Sequence, residues 1–185
     1  MKPNKIIFLD RDGVINHFPG KGLYVVRQEA FEFLPGALEA FQLLRAAGYE
    51  VHIVSNQGCV SRGMISLVEL GQLTEQMTEK VRKAGGEIQA VHYCVHQKSD
   101  ACECKKPKTT LFEKALGGRF VSRSEIAMIG DSEEDMEAAR RMGFLKVLVL
   151  SGRTTVKDLE SFAPTPDVVQ NNLLDAVQWI LQKKF

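Results

Sequence analysis

Two aspartates, Asp10 and Asp12, stand directly after the apolar run Ile6–Leu9 and directly before Gly13. A carboxylate in that place can attack phosphorus and carry the group as an aspartyl-phosphate, splitting one hard displacement into two. A second carboxyl two positions on can protonate the leaving oxygen and then activate water. Such chemistry also needs a divalent cation on hard oxygen ligands, with Mg²⁺ the best match, to neutralise charge between nucleophile and phosphate. It needs a lysine and a hydroxyl on the phosphate oxygens as well. The chain offers Ser55-Asn56-Gln57 after the run 51–54, and Lys105-Lys106 shortly before Thr110. It also offers Gly130-Asp131, with Asp135 four residues later.

Each of these is ordinary alone. Asp-x-Asp-Gly commonly marks a turn. Ser55 alone suits a cap, and Lys106 alone a solvated surface. Asp131 with Glu133 and Glu134 suits the start of a helix. Their joint placement at the ends of successive strands carries the catalytic reading. A second cluster, Cys94, His96, Cys102 and Cys104, can close tetrahedrally around Zn²⁺. Four protein ligands leave no position for water, so this zinc is expected to be structural, pinning residues 97–101 beside Lys105 and Lys106. The spacing and the lack of an export signal favour a metal over a disulfide framework, and Cys59 stands apart.

The elements that must position these groups are legible as apolar runs at 6–9, 51–54, 90–93, 126–129 and 147–150, the pattern of buried strands. Helical spacing lies between and after them, at 37–47, 67–84, 110–116, 133–142 and 173–181. Gly48 and Gly85-Gly86 supply C-terminal stops. The alternation predicts an α/β fold, a mostly parallel sheet with helices on both faces and its chemistry at the strands' carboxyl ends. The 185 residues suit one domain over 1–185. Lys plus Arg is 24 and Asp plus Glu is 23, a net charge of +1 that gives no reason to expect nucleic acid or a membrane as partner. The four apolar residues before Asp10 are too few for a signal peptide or a span, so a cytoplasmic location is expected.

Asp10-Arg11-Asp12-Gly13-Val14, Ser55, Lys106 and Gly130-Asp131 with Asp135 occur in the order of the four motifs of the haloacid-dehalogenase superfamily, and the chain resembles its phosphatases throughout. The resemblance implies a Rossmann-like fold with Asp10 as nucleophile, Asp12 as acid/base, and Mg²⁺ held by Asp10, Asp131 and the Asp12 carbonyl. A zinc loop just before the third-motif lysine is similar to the branch that holds heptose bisphosphate phosphatases and histidinol-phosphate phosphatases. Local runs lie closer to the heptose enzymes: Tyr24-Val25, residues 31–36, Ser55-Asn56-Gln57, Ser61-Arg62-Gly63 and Tyr93-Cys94 with His96. Departures are Val14 where Thr is usual and Lys105 where Arg is usual, and a lysine cannot reproduce an arginine's bidentate fork.

Little room is left for a cap domain, so residues 16–34, 58–63 and 94–104 are expected to form an open rim. The expected ligand is a small phosphorylated metabolite, a sugar bisphosphate before histidinol phosphate, touched by Arg11, Asn56, Gln57, Arg62 and Lys105. Six rim cations (Lys21, Arg27, Arg62, Lys98, Lys105, Lys108) face four anions (Glu29, Glu32, Asp100, Glu103), a tilt towards the more anionic ligand. The protein is expected to be a monomer or small homo-oligomer. A catalytically silent binding module is the reading from another class, and retention of both Asp10 and Asp12 speaks against it.

Overall fold

Ile6–Leu9 is apolar on both sides of its pleat, as a strand covered on both faces must be, and it forms β1 near the middle of the sheet. The computed structural model describes residues 5–183. β1 pairs in parallel with β2 (Glu50–Asn56) on one side and β4 (Ile126–Gly130) on the other. β3 (Ala90–Cys94) lies outside β2, while β5 (Leu145–Val149) and β6 (Val168–Gln170) lie outside β4. All pairings are parallel, in the order β3-β2-β1-β4-β5-β6.

Helices cover both faces. Ile7 and Leu9 point into a core with the apolar sides of α1 (Ala37–Ala46), α2 (Leu67–Lys83) and α5 (Leu173–Gln182). Ile6 and Phe8 point into the opposite core with α3 (Thr110–Leu116) and α4 (Glu133–Met142). Phe8 meets Phe112 edge-on at 5.1 Å and stacks on Phe144 at 5.4 Å, contacts worth about 0.5–1.5 kcal/mol each beyond their buried area.

Two boundaries differ from the periodicity by two residues, and the others by no more than one. β2 runs through Ser55 and Asn56, which pair with Tyr93 and Cys94, although polar residues at a strand end read as loop. β5 starts two residues earlier than the apolar run, because Leu145 pairs with Ala127. Between Asp12 and Ser55 lie a loop, one 3₁₀ turn (Gln28–Ala30) and α1. Between Ser55 and Lys106 lie α2, β3 and the cysteine loop, so no cap is inserted among the described residues.

After β1 the chain builds β2 and β3 outward on one side, then crosses to β4 on the other. The connections leaving β1 and β4 therefore diverge and open a crevice, the place where such sheets bind ligands. Leu9 is in register with Ile129, so Asp10 stands level with Gly130 and Asp131 follows one residue further along the neighbouring strand's exit.

Candidate active site and cysteine–histidine loop

The Asp10 amide continues the ladder by donating to the Ile129 carbonyl at 3.0 Å, which seats the first carboxylate between β1 and β4. Lys106 Nζ reaches across to Asp10 Oδ1 at 3.0 Å and Asp135 Oδ1 at 2.5 Å, and donates to the Val54 carbonyl at 2.7 Å. The ammonium is buried, which by itself disfavours its charge. Asp10 and Asp135 outweigh that, so its pKa rises. Asp135 is fully buried: its Oδ2 accepts from the Ser132 amide at 3.2 Å and the Ser132 hydroxyl at 2.6 Å. That carboxylate thus caps α4 and anchors Lys106 together.

Asp131 Oδ2 accepts from the Arg153 amide at 2.6 Å, and the Thr154 hydroxyl donates to the Asp131 carbonyl at 2.6 Å. The room around this carboxylate exists because two neighbours lack a Cβ. A Cβ on Gly13, at φ +88°, would stand 2.3 Å from Asp131 Oδ2, and one on Gly152 would stand 2.0 Å from it. Burial, then the charges of Asp10 and Asp135, pushes the Asp131 pKa well above the usual range. Burial raises Asp10 as well, against the opposing pull of Lys106.

These groups have the donor chemistry for a hard divalent cation. Oxygens of Asp10, Asp131 and Asp135 lie within 4.8 Å of one another. Apart from its ion pair with Lys106, buried Asp10 Oδ1 has no hydrogen-bond donor. Asp10, Asp12, Asp131 and Asp135 face only Arg11 and Lys106 as buried cations, a deficit that a divalent ion would neutralise. Asp135 is already committed to Lys106 and the α4 cap, leaving Asp10 and Asp131 as the better side-chain ligands.

Asp12 is held differently. Arg11 donates to both its oxygens at 3.0–3.2 Å, Asn16 to Oδ1 at 2.8 Å and Gln57 to Oδ2 at 2.9 Å. Burial works to raise this carboxyl, but Arg11 and these donors outweigh it and hold it below the usual range.

A cavity of about 200 Å³ opens above the site. Asp10, Asp12, Ser55, Lys106 and Asp131 form its wall, with residues 18–24, Asn56, Lys105, Ser132, Glu134 and Arg153 around them. The expected substrate contacts need correction here. Arg11 and Gln57 are buried behind Asp12 and are not on this wall. Arg62 is also off the wall, its guanidinium lying 5.6 Å from the centroid of the Tyr24 ring. Asn56 lines the cavity, but its amide is spent on Lys106, accepting from its N–H at 3.0 Å and donating to its carbonyl at 3.2 Å. Lys105 lines the cavity as expected. Of the six counted rim cations only Lys21 and Lys105 reach it, and Lys108 instead donates to the Cys102 carbonyl at 2.7 Å. Glu134 reads from the sequence only as part of a helix start, and Arg153 escaped the sequence reading. The loop after β5, neighbour of β4 at the same sheet edge, was the available signal.

Cys94, His96, Cys102 and Cys104 converge as expected, with one ligand atom of each within 4.8 Å of all the others. Cys94 Sγ lies 3.6 Å from Cys102 Sγ and 3.2 Å from Cys104 Sγ, and His96 Nδ1 lies 3.2 Å from Cys104 Sγ. Zn–S bonds of about 2.3 Å at tetrahedral angles need sulfurs roughly 3.8 Å apart, so the set fits zinc with a small expansion. All four cysteines are free thiols. The loop is tied to the rim: Ser61 donates to Asp100 at 2.5 Å, and the Ser61 amide to the Val95 carbonyl at 3.1 Å.

A family model described as HAD-hydrolase-like matches residues 103–176. A D-glycero-β-D-manno-heptose-1,7-bisphosphate 7-phosphatase of Neisseria meningitidis serogroup A is 34% identical, across 97% of this chain and 96% of that protein. The Haemophilus ducreyi protein described in the same words is 33% identical, across 95% and 98%. Among solved structures, a D,D-heptose 1,7-bisphosphate phosphatase from B. bronchiseptica, complexed with magnesium and phosphate, superposes with TM-score 0.88 at 28% identity. That match covers 97% of this chain and 99% of the other. Fold and site together define a phosphatase of the haloacid-dehalogenase class. Within it, the chain belongs to the family of these heptose bisphosphate 7-phosphatases. No helix among the described residues is long and apolar enough to cross a membrane.

Proposed function

We propose that this protein removes the 7-phosphate of D-glycero-D-manno-heptose 1,7-bisphosphate, with Asp10 as nucleophile and Asp12 as general acid/base. The observation that carries it is the meeting of Asp10, Lys106 and Asp131 between β1 and β4, in a chain that matches its heptose phosphatase relatives from end to end. Asp10 attacks phosphorus and becomes the aspartyl-phosphate, while Asp12, a carboxylate at rest, takes the proton of the bound phosphate monoester monoanion and passes it to the leaving sugar oxygen. Asp12, again a carboxylate, then takes a proton from the water that cleaves the phosphoryl bond, returning Asp10 and inorganic phosphate. Ser55 and Lys106 hold the phosphoryl oxygens throughout. Mg²⁺, held by Asp10, Asp131 and the Asp12 carbonyl, supplies charge neutralisation between carboxylate and phosphate.

The far end of a bisphosphate meets Lys21, Lys105 and Arg153 around the cavity, with Glu134 opposing them. This favours the more anionic ligand over histidinol phosphate, whose amine and imidazole call for acceptors. Side-by-side kinetics in Mg²⁺ test the choice. The expected kcat/KM for heptose 1,7-bisphosphate exceeds that for histidinol phosphate by at least ~10-fold, about 1.4 kcal/mol in transition-state binding. An equal or reversed ratio would remove the heptose assignment and leave the phosphatase standing.

A further inference from the structure

Gln57 is fully buried, off the cavity wall, and uses both of its amide atoms. Its Oε1 accepts from Arg11 at 2.9 Å, while its Nε2 donates to Asp12 Oδ2 at 2.9 Å and Ser55 Oγ at 3.1 Å. The orientation of this amide is forced. A guanidinium has only donors, so the oxygen must face Arg11 and the nitrogen must face Asp12 and Ser55. Arg11 is in turn fixed: it is 1% exposed and lies 5.7 Å from the Tyr93 ring centroid and 6.0 Å from that of Phe31.

Direction propagates from there. Ser55 Oγ receives a hydrogen from Gln57, so its own hydrogen is left to be donated forward, into the cavity that Ser55 and Asp10 both line. One buried amide thus stands behind both halves of the machinery, the acid/base on one arm and the phosphate-facing hydroxyl on the other.

We propose that Gln57 is a positioning residue, held by Arg11, that sets the direction of the hydrogen bonds reaching Asp12 and Ser55. It acts through those two residues and touches no substrate. Its loss therefore lowers the rate of the chemical steps and leaves substrate affinity nearly unchanged. The inference rests on the phosphatase reading above.

Two substitutions separate direction from volume. Gln57→Met keeps the bulk and removes both donors. Gln57→Glu keeps the shape but supplies at most one proton where the amide supplies two, so it cannot serve Asp12 and Ser55 at once. Both are assayed with 4-nitrophenyl phosphate and Mg²⁺ beside the wild-type protein, with thermal melts to confirm folding. The expected result is a kcat at least ~10-fold lower in each variant with KM within about threefold, the pattern of an interaction made in the transition state. A Gln57→Glu variant within about threefold of wild-type kcat would show that shape alone matters and overturn the inference. So would a loss carried by KM, or the failure of both variants to fold, which would make Gln57 a residue of stability. An inactive wild-type protein would overturn the phosphatase reading itself and the inference with it. An active wild type with unaffected variants overturns the inference alone.

Discussion

At the β1/β4 edge, partly buried Asp10 and buried Asp131 lie beside each other and beside Asp135, and desolvation and neighbouring carboxylates raise their pKa values. On the segment that leads into Lys106, the thiols of Cys94, Cys102 and Cys104 sit together with much less charge at stake. Burial, then the Cys104 contact, pushes the Cys94 thiol up to about 12. Burial also works against the Cys102 thiolate, but backbone N–H groups of Lys105 and Cys104 outweigh it and bring that thiol down to about 7. The carboxylate edge is built by the sheet and stays in place through strand pairing, glycine packing and Lys106. The cysteine set starts at Cys94, the end of β3, and its other three members lie on a loop whose one helical turn among the described residues is the 3₁₀ turn Lys98–Asp100. Removing a metal from the first should therefore abolish chemistry and spare the fold, while removing it from the second should loosen the rim.

The largest effects expected are at the carboxylate edge. Asp10→Asn keeps the shape of the nucleophile and removes its charge, so hydrolysis should fall at least ~10³-fold with an unchanged melting profile. A tenth of the activity remaining would take Asp10 out of the nucleophile's role. Asp12→Asn should lose about 10²–10⁴-fold, the worth of a positioned acid/base.

Metal exchange contrasts the two clusters directly. Mild EDTA should abolish turnover, and Mg²⁺ alone should restore it, while metal analysis continues to find about one zinc per chain. Cys102→Ser should lower the melting temperature and weaken substrate binding through the rim, without the thousandfold loss of Asp10→Asn. Protein made under reducing conditions that contains no zinc would refute the closed four-ligand site.

The smallest effect belongs to a charge cluster far from both. Arg119 donates to both oxygens of Glu50 at 2.8 Å, and His52 lies 2.7 Å away. The Arg119 bonds hold the Glu50 carboxyl at about 2, below its ordinary 4.5, despite partial burial. A depressed carboxylate stabilises the fold above its unfolded pKa, and that contribution is lost as pH falls through the folded value. Arg119 is solvent-exposed, so Glu50→Gln should cost no more than about 1 kcal/mol at pH 7, measured by urea denaturation. The gap between variant and wild type should close between pH 4.5 and pH 2. A constant gap would assign the effect to packing.

Much of this was legible in residue order. Apolar runs gave strands within two residues, because a strand buried on both faces has no polar position to blur it. The catalytic motifs and the Cys₃His set were legible because their spacing is tied to strand ends and to one loop. What spacing could not tell is which way a side chain turns. Arg11 stands in the turn after β1 between two cavity-facing aspartates, and its side chain goes to the other side, where it supports Asp12 from behind. Asn56 and Gln57 read as ligand contacts because they follow a strand, yet their amides are consumed inside the protein. Arg153 was invisible for another reason. It lies in a polar loop with no pattern, and only the position of β5 beside β4 brings it to the cavity.

The uncapped mouth bears on the fate of the phosphoryl group in the proposed mechanism, once Asp10 would carry it. An acceptor other than water can win that group only where a closing element excludes solvent while the exchange occurs. Here Ser61–Asp100 and Arg62–Tyr24 contacts tie rim segments to one another, and no inserted element crosses the mouth among the described residues. Under that mechanism an uncapped mouth favours hydrolysis over passing phosphate between hydroxyls as a mutase does.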